Sequence, residues 1–276
     1  MNRMTRREIL EQFKKEVAGG KILVVVGAGT GITAKCSEKG GADMLIIYNS
    51  GRFHMAGRGS LSGLLSYGDA NKIVQEMGSE VLPIVKNTPV LAGVCGTDPF
   101  RVMDLFLKQL KDQGFNGIQN FPTVGLIDGK FRANLEGTGM GYGLEVDMIR
   151  EAHKLDMLTC PYVFDRDQAK AMAESGADIL VAHMGLTTKG SIGAETALTL
   201  DDCCEKIREI IQTGRKVNPD ILVICHGDPI ADPEDAAYVI KNAPEIDGFF
   251  GASSIERLAS ERGMTTQTEV FKAIHK

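Results

Sequence analysis

The sequence predicts an α/β protein built as one (β/α)8 TIM barrel. Eight short apolar runs recur along its 276 residues, and helix-like stretches separate them. Nearly every run ends in small or polar residues, as strands do where they enter a loop. In such a barrel the active site forms from the loops that follow the C-terminal ends of the strands. The eight runs cover residues 22–31, 43–52, 89–99, 117–125, 157–165, 177–185, 221–229 and 246–254.

An extra helix is predicted ahead of the first strand. Ile9, Phe13 and Val17 recur at the spacing of one helix face, which indicates a helix over residues 4–18. Such a helix either caps the floor of the barrel or mediates contact between subunits.

The stretches that follow the strands carry helix start signals. Asp69 is placed to cap a helix over residues 69–85. A helix over residues 97–114 has Thr97 or Asp98 as its cap. The remaining predicted helices cover residues 144–156, 165–176, 198–217, 232–244, 253–263 and 265–276.

The chain is predicted to form a single domain over residues 1–276. No low-complexity tract or linker-like composition divides it. Within that domain we expect an N-terminal helical segment at 1–20, the barrel at 21–262 and an appended C-terminal helix at 263–276.

Composition excludes several classes of function. The net charge of −5 argues against a general electrostatic surface for nucleic acid. No apolar run approaches the roughly 18 residues of a membrane helix, and the charged N-terminus lacks the apolar core of a signal peptide. The six cysteines show no metal-ligand spacing, which favours free thiols. We therefore expect a cytoplasmic protein that binds neither nucleic acid nor membrane.

Three long loops leave the predicted C-terminal face of the barrel. They follow the second, fourth and sixth strands at residues 50–68, 125–143 and 185–198, and they combine glycine with basic residues. Loops of this length in a compact domain are usually functional. Three of them on one face predict a cover over a substrate.

The glycine-rich turn after the first strand has two interpretations. A dinucleotide site is disfavoured, because Thr33 stands where the third glycine of that motif belongs and no acidic residue ends the second strand. In a barrel, Gly27 and Gly29 instead let the backbone approach a ligand closely.

The ends of the last two strands predict an anion site. Gly227 and Gly251 permit close approach, and Ser253 and Ser254 open a helix and offer hydroxyl donors. Barrels often bind phosphate at this place through backbone N–H groups and a helix N-terminus. Two observations leave the prediction open: either serine could be an ordinary helix cap, and the carboxylate of Asp228 would repel an anion.

His183 and His226 end neighbouring strands and are the candidate proton carriers. An imidazole can act as a general acid or base near neutral pH. The alternative is that both are buried, hydrogen-bonded core residues.

Other strand-end residues are candidates for supporting roles. Asp98 and Glu136 could assist a metal or a water, although no motif spaces the carboxylates as a metal set and Asp98 also suits a helix cap. Amide, hydroxyl and guanidinium donors could orient a substrate carboxylate. These donors are Asn49, Arg52, Asn120 and Thr123.

Long motifs distributed along the chain resemble the phosphoenolpyruvate hydrolase-like TIM-barrel family. They include GAGTGITAK, IIYNSGRFHMAGRGSLSGLLSYGDAN, GIQNFPTVGLIDG, VAHMGLTTKGSIGA, CHGDPI and GFFGASSIERL. The same motifs resemble the C-terminal barrel of a plant tobamovirus-resistance protein, for which a signalling or binding role is suggested. The family resemblance implies hydrolysis of a three-carbon phosphorylated or phosphono acid and a relation to the phosphoenolpyruvate mutase and isocitrate lyase barrels.

Residues and resemblance together predict an enzyme that acts on a small anionic metabolite. The expected reaction is hydrolysis or a lyase step on an acid such as phosphoenolpyruvate or phosphonopyruvate. The sequence identifies no cofactor, and a divalent metal such as Mg²⁺ stays open. The alternative is a barrel without activity that senses a small anion and signals to a partner. Apolar faces on the first and last helices favour a homo-oligomer.

Overall fold

A computed structural model describes residues 4–195 and 198–276 and shows nine parallel strands in one curled sheet. The strand order is β5-β4-β3-β2-β1-β9-β8-β7-β6. Parallel neighbours need crossover connections, and helices supply them. The strands are β1 (Leu23–Gly27), β2 (Met44–Ile47), β3 (Val90–Val94), β4 (Gly117–Asn120), β5 (Leu158–Thr159), β6 (Tyr162–Val163), β7 (Ile179–His183), β8 (Leu222–His226) and β9 (Gly248–Gly251).

The parallel α/β sheet confirms the predicted class, but the fifth apolar run yields two strands. β5 pairs with β4 and β6 pairs with β7, so the first and last strands of the sheet order are neighbours in the chain. Cys160 and Pro161 lie between them. Pro161 has no N–H to donate to a ladder, and its carbonyl instead accepts from the Val181 N–H at 2.9 Å.

Eleven α-helices occur within the described residues, together with 3₁₀ turns at Ser60–Leu64 and Val124–Leu126 and a π-helical turn at Ser253–Arg257. Most of them pack apolar side chains against the outside of the sheet. The helices are α1 (Arg6–Ala18), α2 (Gly31–Lys39), α3 (Asn49–Met55), α4 (Ala70–Val81), α5 (Met103–Gln113), α6 (Gly129–Gly137), α7 (Gly143–Lys154), α8 (Arg166–Glu174), α9 (Leu200–Val217), α10 (Pro233–Asn242) and α11 (Leu258–Lys272).

Two helix predictions differ from the structure at their starts. The predicted cap Asp69 is confirmed, since its side chain accepts from the Lys72 N–H at 2.9 Å. The helix predicted over 97–114 begins only at Met103, so neither Thr97 nor Asp98 caps it. Asp98 instead accepts from the Phe100 N–H at 2.9 Å and stabilises the preceding turn.

The long loops after the second and fourth predicted strands contain short helices. α3 and a 3₁₀ turn occupy most of residues 49–64, and α6 lies within residues 125–143. Short helical turns inside a glycine-rich segment leave little periodic signal in a sequence. Thr196 and Ala197, at the end of the third loop, lie outside the described residues.

α1 packs against one end of the curled sheet, as the first of its two predicted roles expects. Ile9 and Phe13 are fully buried in the interior cluster with side chains from the strands. Arg6 reinforces the contact: its guanidinium donates to both carboxylate oxygens of Asp178 at 2.6 and 2.9 Å. Residues 1–3 of the predicted segment 1–20 lie outside the described residues.

Replacing Phe13 with Ala should lower the free energy of unfolding by about 3–5 kcal/mol, because the change removes a buried ring and leaves a cavity. Urea denaturation measures the difference. Phe271→Ala is the control, since that ring is 65 % exposed on α11. Equal small losses for the two variants would mean that α1 does not seal the barrel.

The C-terminal segment is the other departure from prediction. The predicted boundary between residues 262 and 263 lies inside α11, which runs without a break to Lys272. Residues 262–276 are exposed throughout. Among the helices of the described residues, none combines the length and apolar character that a membrane crossing requires.

Candidate functional site at the mouth of the barrel

Two adjoining cavities lie where the C-terminal ends of the strands meet the loops. The inner cavity has a volume of about 20 Å³ and the outer one about 410 Å³. Four residues line both: Ser60, Leu186, Thr187 and Ser253. The inner cavity continues downward between Tyr48, Phe121, Tyr162, His183 and His226. This is the place at which barrels build active sites.

Strand alternation places both predicted histidines in this cavity. Ile179 and Val181 belong to the interior cluster, and so does Ile224. Side chains two apart along a strand share a face, so His183 and His226 also point inward. The two are direct neighbours across β7 and β8, with ring centroids 4.8 Å apart.

Backbone contacts fix the tautomers of the two imidazoles. His183 Nδ1 accepts from the Gly185 N–H at 3.1 Å, so its proton lies on Nε2. His226 Nδ1 lies 2.8 Å from the Phe250 carbonyl oxygen, which can only accept, so its proton lies on Nδ1. His226 Nε2 is left as an acceptor, 3.5 Å from the hydroxyl of Tyr162.

Both histidines are neutral in this setting. Burial lowers the pKa of His226 to about 4 and that of His183 well below its ordinary value, where the neighbouring His226 contributes as well. Aromatic rings enclose the two histidines: the ring centroids of Tyr162 and Phe164 each lie 4.7 Å from that of His183. The pair therefore combines one N–H donor and one lone-pair acceptor without a charge.

A third histidine, which the sequence analysis did not select, lies beside Ser253. His54 on α3 is buried, and its Nε2 is 2.8 Å from Ser60 Oγ and 3.4 Å from Ser253 Oγ. Burial, followed by the charge of Arg257 and by His226, lowers the pKa of His54 to about 4. His54 thus bridges two serine hydroxyls that line both cavities.

Arg257 is a second residue that the sequence analysis missed. It ends the π-helical turn after β9 and lines the outer cavity, yet its side chain is only 4 % exposed. Its Nη1 donates to Glu261 Oε1 at 3.0 Å and its Nη2 to the Lys189 carbonyl oxygen at 3.1 Å. The signal in the sequence was a basic residue four positions after Ser253, at the strand end already chosen for an anion.

The loop after β7 forms the roof of the outer cavity and is held down by charges. Lys189 pairs with Asp232 at 3.0 Å and Asp235 at 2.6 Å. Ser191 Oγ donates to Glu261 Oε1 at 2.9 Å. This loop therefore matches the predicted cover over a substrate in position.

Gly227 and Asp228 support this roof. Gly227 has φ +85°, and a Cβ there would lie 2.2 Å from the Gly185 carbonyl oxygen. Asp228 has φ +51°, and its Oδ2 accepts from the Leu198 N–H at 3.1 Å. Its Oδ1 is buried without a partner among the described residues. Burial raises the pKa of Asp228.

Three predicted residues lie outside both cavities, each with another partner. Asp98 Oδ2 accepts from Asn71 Nδ2 at 2.9 Å. Glu136 pairs with Arg132 at 2.7 Å on α6, and Arg52 pairs with Glu76 at 2.7 Å. The structure does not bring these three side chains together with the histidines.

Asn49, Asn120 and Thr123 face away from the inner cavity. Ile47 and Ile118 belong to the outer cluster between sheet and helices, and the asparagines follow them by two residues. Asn49 Nδ2 donates to the Gly63 carbonyl oxygen at 2.8 Å. The other two side chains bind the buried carboxylate of Glu145, Asn120 at 2.6 Å and Thr123 at 2.7 Å. Burial raises the pKa of Glu145 to about 7.

The glycine turn after β1 holds a buried carboxylate of its own. Gly29 N–H lies 2.8 and 2.9 Å from the two carboxylate oxygens of Glu256. Burial raises the pKa of Glu256 to about 8. Gly27 packs against Tyr48 and Ala252, and Gly251 against Ile255 and Ser254. Ser254 lines neither cavity.

Glu256→Gln should remove a pH-dependent loss of stability. The pKa of this carboxyl is about 8 in the folded chain and near 4.5 when unfolded, so stability falls as pH rises between those values. Between pH 5.5 and pH 8 this group should lower the free energy of unfolding of the wild type by about 3 kcal/mol, since one pH unit corresponds to roughly 1.4 kcal/mol. Urea denaturation at both pH values measures it, with Glu269→Gln, exposed on α11, as the control. Identical pH profiles for wild type and Glu256→Gln would contradict the prediction.

The mouth does not offer the donor set of a metal site. Among the described residues, no group of three or more His, Cys, Asp or Glu side chains could hold a metal ion. Glu145 already accepts hydrogen bonds from three donors and Glu256 from Gly29, whereas Asp228 Oδ1 has no partner among the described residues. The described residues therefore supply no set of three or more side-chain ligands for a divalent cation.

Comparison with known sequences identifies relatives along nearly the whole chain. The model of the phosphoenolpyruvate hydrolase-like family matches residues 8–274. The ToMV susceptible protein tm-1 and the ToMV resistance protein Tm-1 of Solanum lycopersicum are 59 % and 58 % identical, over 96 % and 98 % of this chain. A putative transcriptional regulatory protein of Sinorhizobium fredii is 36 % identical over 98 % of the chain. The chain spans 35 %, 36 % and 44 % of the length of these relatives.

Solved structures share the fold at low identity. Phosphonopyruvate hydrolase in complex with oxalate and Mg²⁺ has a TM-score of 0.61 at 14 % identity, covering 98 % of this chain and 88 % of the other. Oxaloacetate acetylhydrolase with its product oxalate has a TM-score of 0.59 at 11 % identity, covering 95 % and 86 %. At such identities the likeness establishes the α/β fold alone.

Proposed function

Because this chain belongs to the phosphoenolpyruvate hydrolase-like family, we propose that it is a hydrolase or lyase of a small anionic acid. The substrate class is a phosphorylated or phosphono three-carbon acid, such as phosphoenolpyruvate or phosphonopyruvate. The observation that carries the proposal is the joined pair of cavities at the strand ends, lined by serine hydroxyls and two neutral imidazoles. A barrel with a polar-lined cavity at its strand ends is suited to small-molecule chemistry.

The proposed roles follow from the protons that each group holds. Ser253, Ser60 and Thr187, whose hydroxyls line the outer cavity, hold the acid group, whereas Gly227 and Gly251 line neither cavity. In hydrolysis of phosphonopyruvate, water attacks phosphorus, the C–P bond breaks, and pyruvate leaves as its enolate with the electron pair of that bond. His183 donates Nε2–H to the enolate oxygen, and His226 Nε2 accepts the proton of the attacking water, so that phosphate is released. No step is assigned to a metal, since no group of three or more metal-ligating side chains is found among the described residues.

The same proposal includes an interpretation of the sheet. β5 and β6 are two halves of one barrel strand, which restores the eightfold count, and residues 1–276 form one domain. Assembly into a homo-oligomer and location in the cytoplasm stay predictions.

A binding protein without turnover is the second candidate. The inner cavity of about 20 Å³ holds little more than a water molecule, and the loop after β7 covers its approach. A roof that responds to a bound anion would suit a sensor.

A turnover assay separates the two candidates. The full chain is incubated with phosphoenolpyruvate, phosphonopyruvate or oxaloacetate, and pyruvate, phosphate and oxalate are measured. Product formation above that of a heat-inactivated control supports the hydrolase or lyase proposal. Saturable binding of the same acids without product rejects the enzyme in favour of the sensor, and neither binding nor product rejects both.

A further inference from the structure

We propose that Arg257 is the cation that neutralises the bound acid, so that this site takes small dianions without a divalent metal. The inference rests on the proposed function of the mouth and names the charge partner that it requires. Its ligand class is a dicarboxylate or a phosphono acid, whose oxygens match a planar guanidinium.

The position of Arg257 suits this role. It lines the outer cavity together with Ser60, Thr187 and Ser253, three hydroxyl side chains that can share an anion with it. An almost fully buried guanidinium interacts with an anion far more strongly than an exposed one does, because little water screens the pair.

Arg257 has donors to spare. A guanidinium carries five N–H groups. Within the described residues only two bonds are formed, to Glu261 and to the Lys189 carbonyl oxygen. Glu261 is the ion-pair partner of Arg257, and its two oxygens also accept from Ser191. The remaining N–H groups are available to an anion in the cavity.

The other cation near the mouth is committed elsewhere, and one carboxylate, Asp228, has a buried oxygen without a partner among the described residues. Lys189 pairs with Asp232 and Asp235 on the far side of the roof. His54, His183 and His226 are neutral. Arg257 is therefore the described cation best placed to meet a substrate. Phosphonopyruvate hydrolase binds oxalate with Mg²⁺, whereas the residues here assemble a guanidinium and hydroxyls where a metal would need carboxylates.

Isothermal titration calorimetry with oxalate as the probe tests the inference on the full chain. Wild type is titrated in EDTA and in excess Mg²⁺, and the heat of oxalate binding to Mg²⁺ alone is subtracted. Saturable binding in EDTA, with affinity within about threefold of that in Mg²⁺, is expected. Arg257→Gln should weaken binding about tenfold or more, the usual size for a lost charge-assisted hydrogen bond.

Two further variants make the result specific. Arg262→Gln removes the same charge from the same helix, but Arg262 is 61 % exposed and pairs with Asp232, so binding should not change. Arg257→Lys keeps the charge and loses the planar fork, and an intermediate loss is expected. Circular dichroism checks that each variant folds. If Arg257→Gln does not fold, the comparison of EDTA with Mg²⁺ in wild type and the Arg257→Lys titration still decide.

The outcomes separate this inference from the proposed function. Binding that appears only with Mg²⁺ overturns the inference and leaves a small-acid site in place. Unchanged affinity in Arg257→Gln also overturns it. No oxalate binding in either buffer, together with no binding of phosphoenolpyruvate, counts against the proposed function itself.

Discussion

Replacing Ser253 with Asp should lower the affinity of the mouth for phosphoenolpyruvate by about two orders of magnitude or more. Ser253 lines both cavities, so the new carboxylate would stand where anion oxygens are expected. Two like charges about 4 Å apart repel by about 4 kcal/mol at an effective dielectric constant of 20. The carboxylate would also compete with the ligand for Arg257. Calorimetry on folded protein gives the ratio of the dissociation constants.

Ser254→Asp is the matched comparison for this change. It adds the same charge one residue later, at a side chain that lines neither cavity. We expect a much smaller loss, since solvent screens a charge outside the site. If Ser254→Asp weakens binding as strongly as Ser253→Asp, the original sequence prediction that both serines hold the anion is correct. Unchanged affinity in Ser253→Asp would move the anion site elsewhere.

Gly29→Ala should be strongly destabilising, with a loss of about 3 kcal/mol or more in the free energy of unfolding. A Cβ at this position would lie 2.2 Å from the Gly51 carbonyl oxygen and 2.5 Å from Glu256 Oε1. The first contact is with backbone and cannot be relieved by a rotamer change. The turn would have to move away from α3 and from the buried carboxylate.

Gly263→Ala serves as the control for that experiment. Gly263 lies within α11, and no atom would lie within 4 Å of an added Cβ. Alanine favours a helix interior over glycine by about 1 kcal/mol, so this variant should be slightly more stable than wild type. Urea denaturation compares the two. A loss below about 1 kcal/mol for Gly29→Ala would show that the turn is not tightly packed.

The strands could be predicted because each forms a continuous apolar run of strand length, as expected for a strand that is buried on both faces of a sheet. The double strand β5 and β6 could not, since Pro161 breaks the ladder within one continuous run. The late start of α5 was not predicted for a different reason. Thr97 and Asp98 are good capping residues, but the Asp98 carboxylate accepts hydrogen bonds from Asn71 and Phe100 instead. Tertiary partners outweighed the local preference.

The site was predictable where the alternation of side chains along a strand decides which way a residue points. His183 and His226 are an even number of positions from the interior residues of their strands, and so they reach the cavity. Asn49 and Asn120 keep the parity of the outer cluster, so applying the same rule would have placed them toward the helices. His54 could not be found this way, because its contact with Ser253 joins residues 199 positions apart through a short helix.

The floor of the barrel sets an order on folding. α1 is synthesised before the strands, yet Arg6 reaches its carboxylate partner only across 172 residues of chain. A contact so distant in sequence cannot form until the strands up to β7 exist, and closing that span costs chain entropy before the contact offsets it. α1 is thus made before the strands but can complete its docking only after them. Until the strands have formed, the apolar face of α1, with Ile9 and Phe13, is exposed to water or bound by a chaperone.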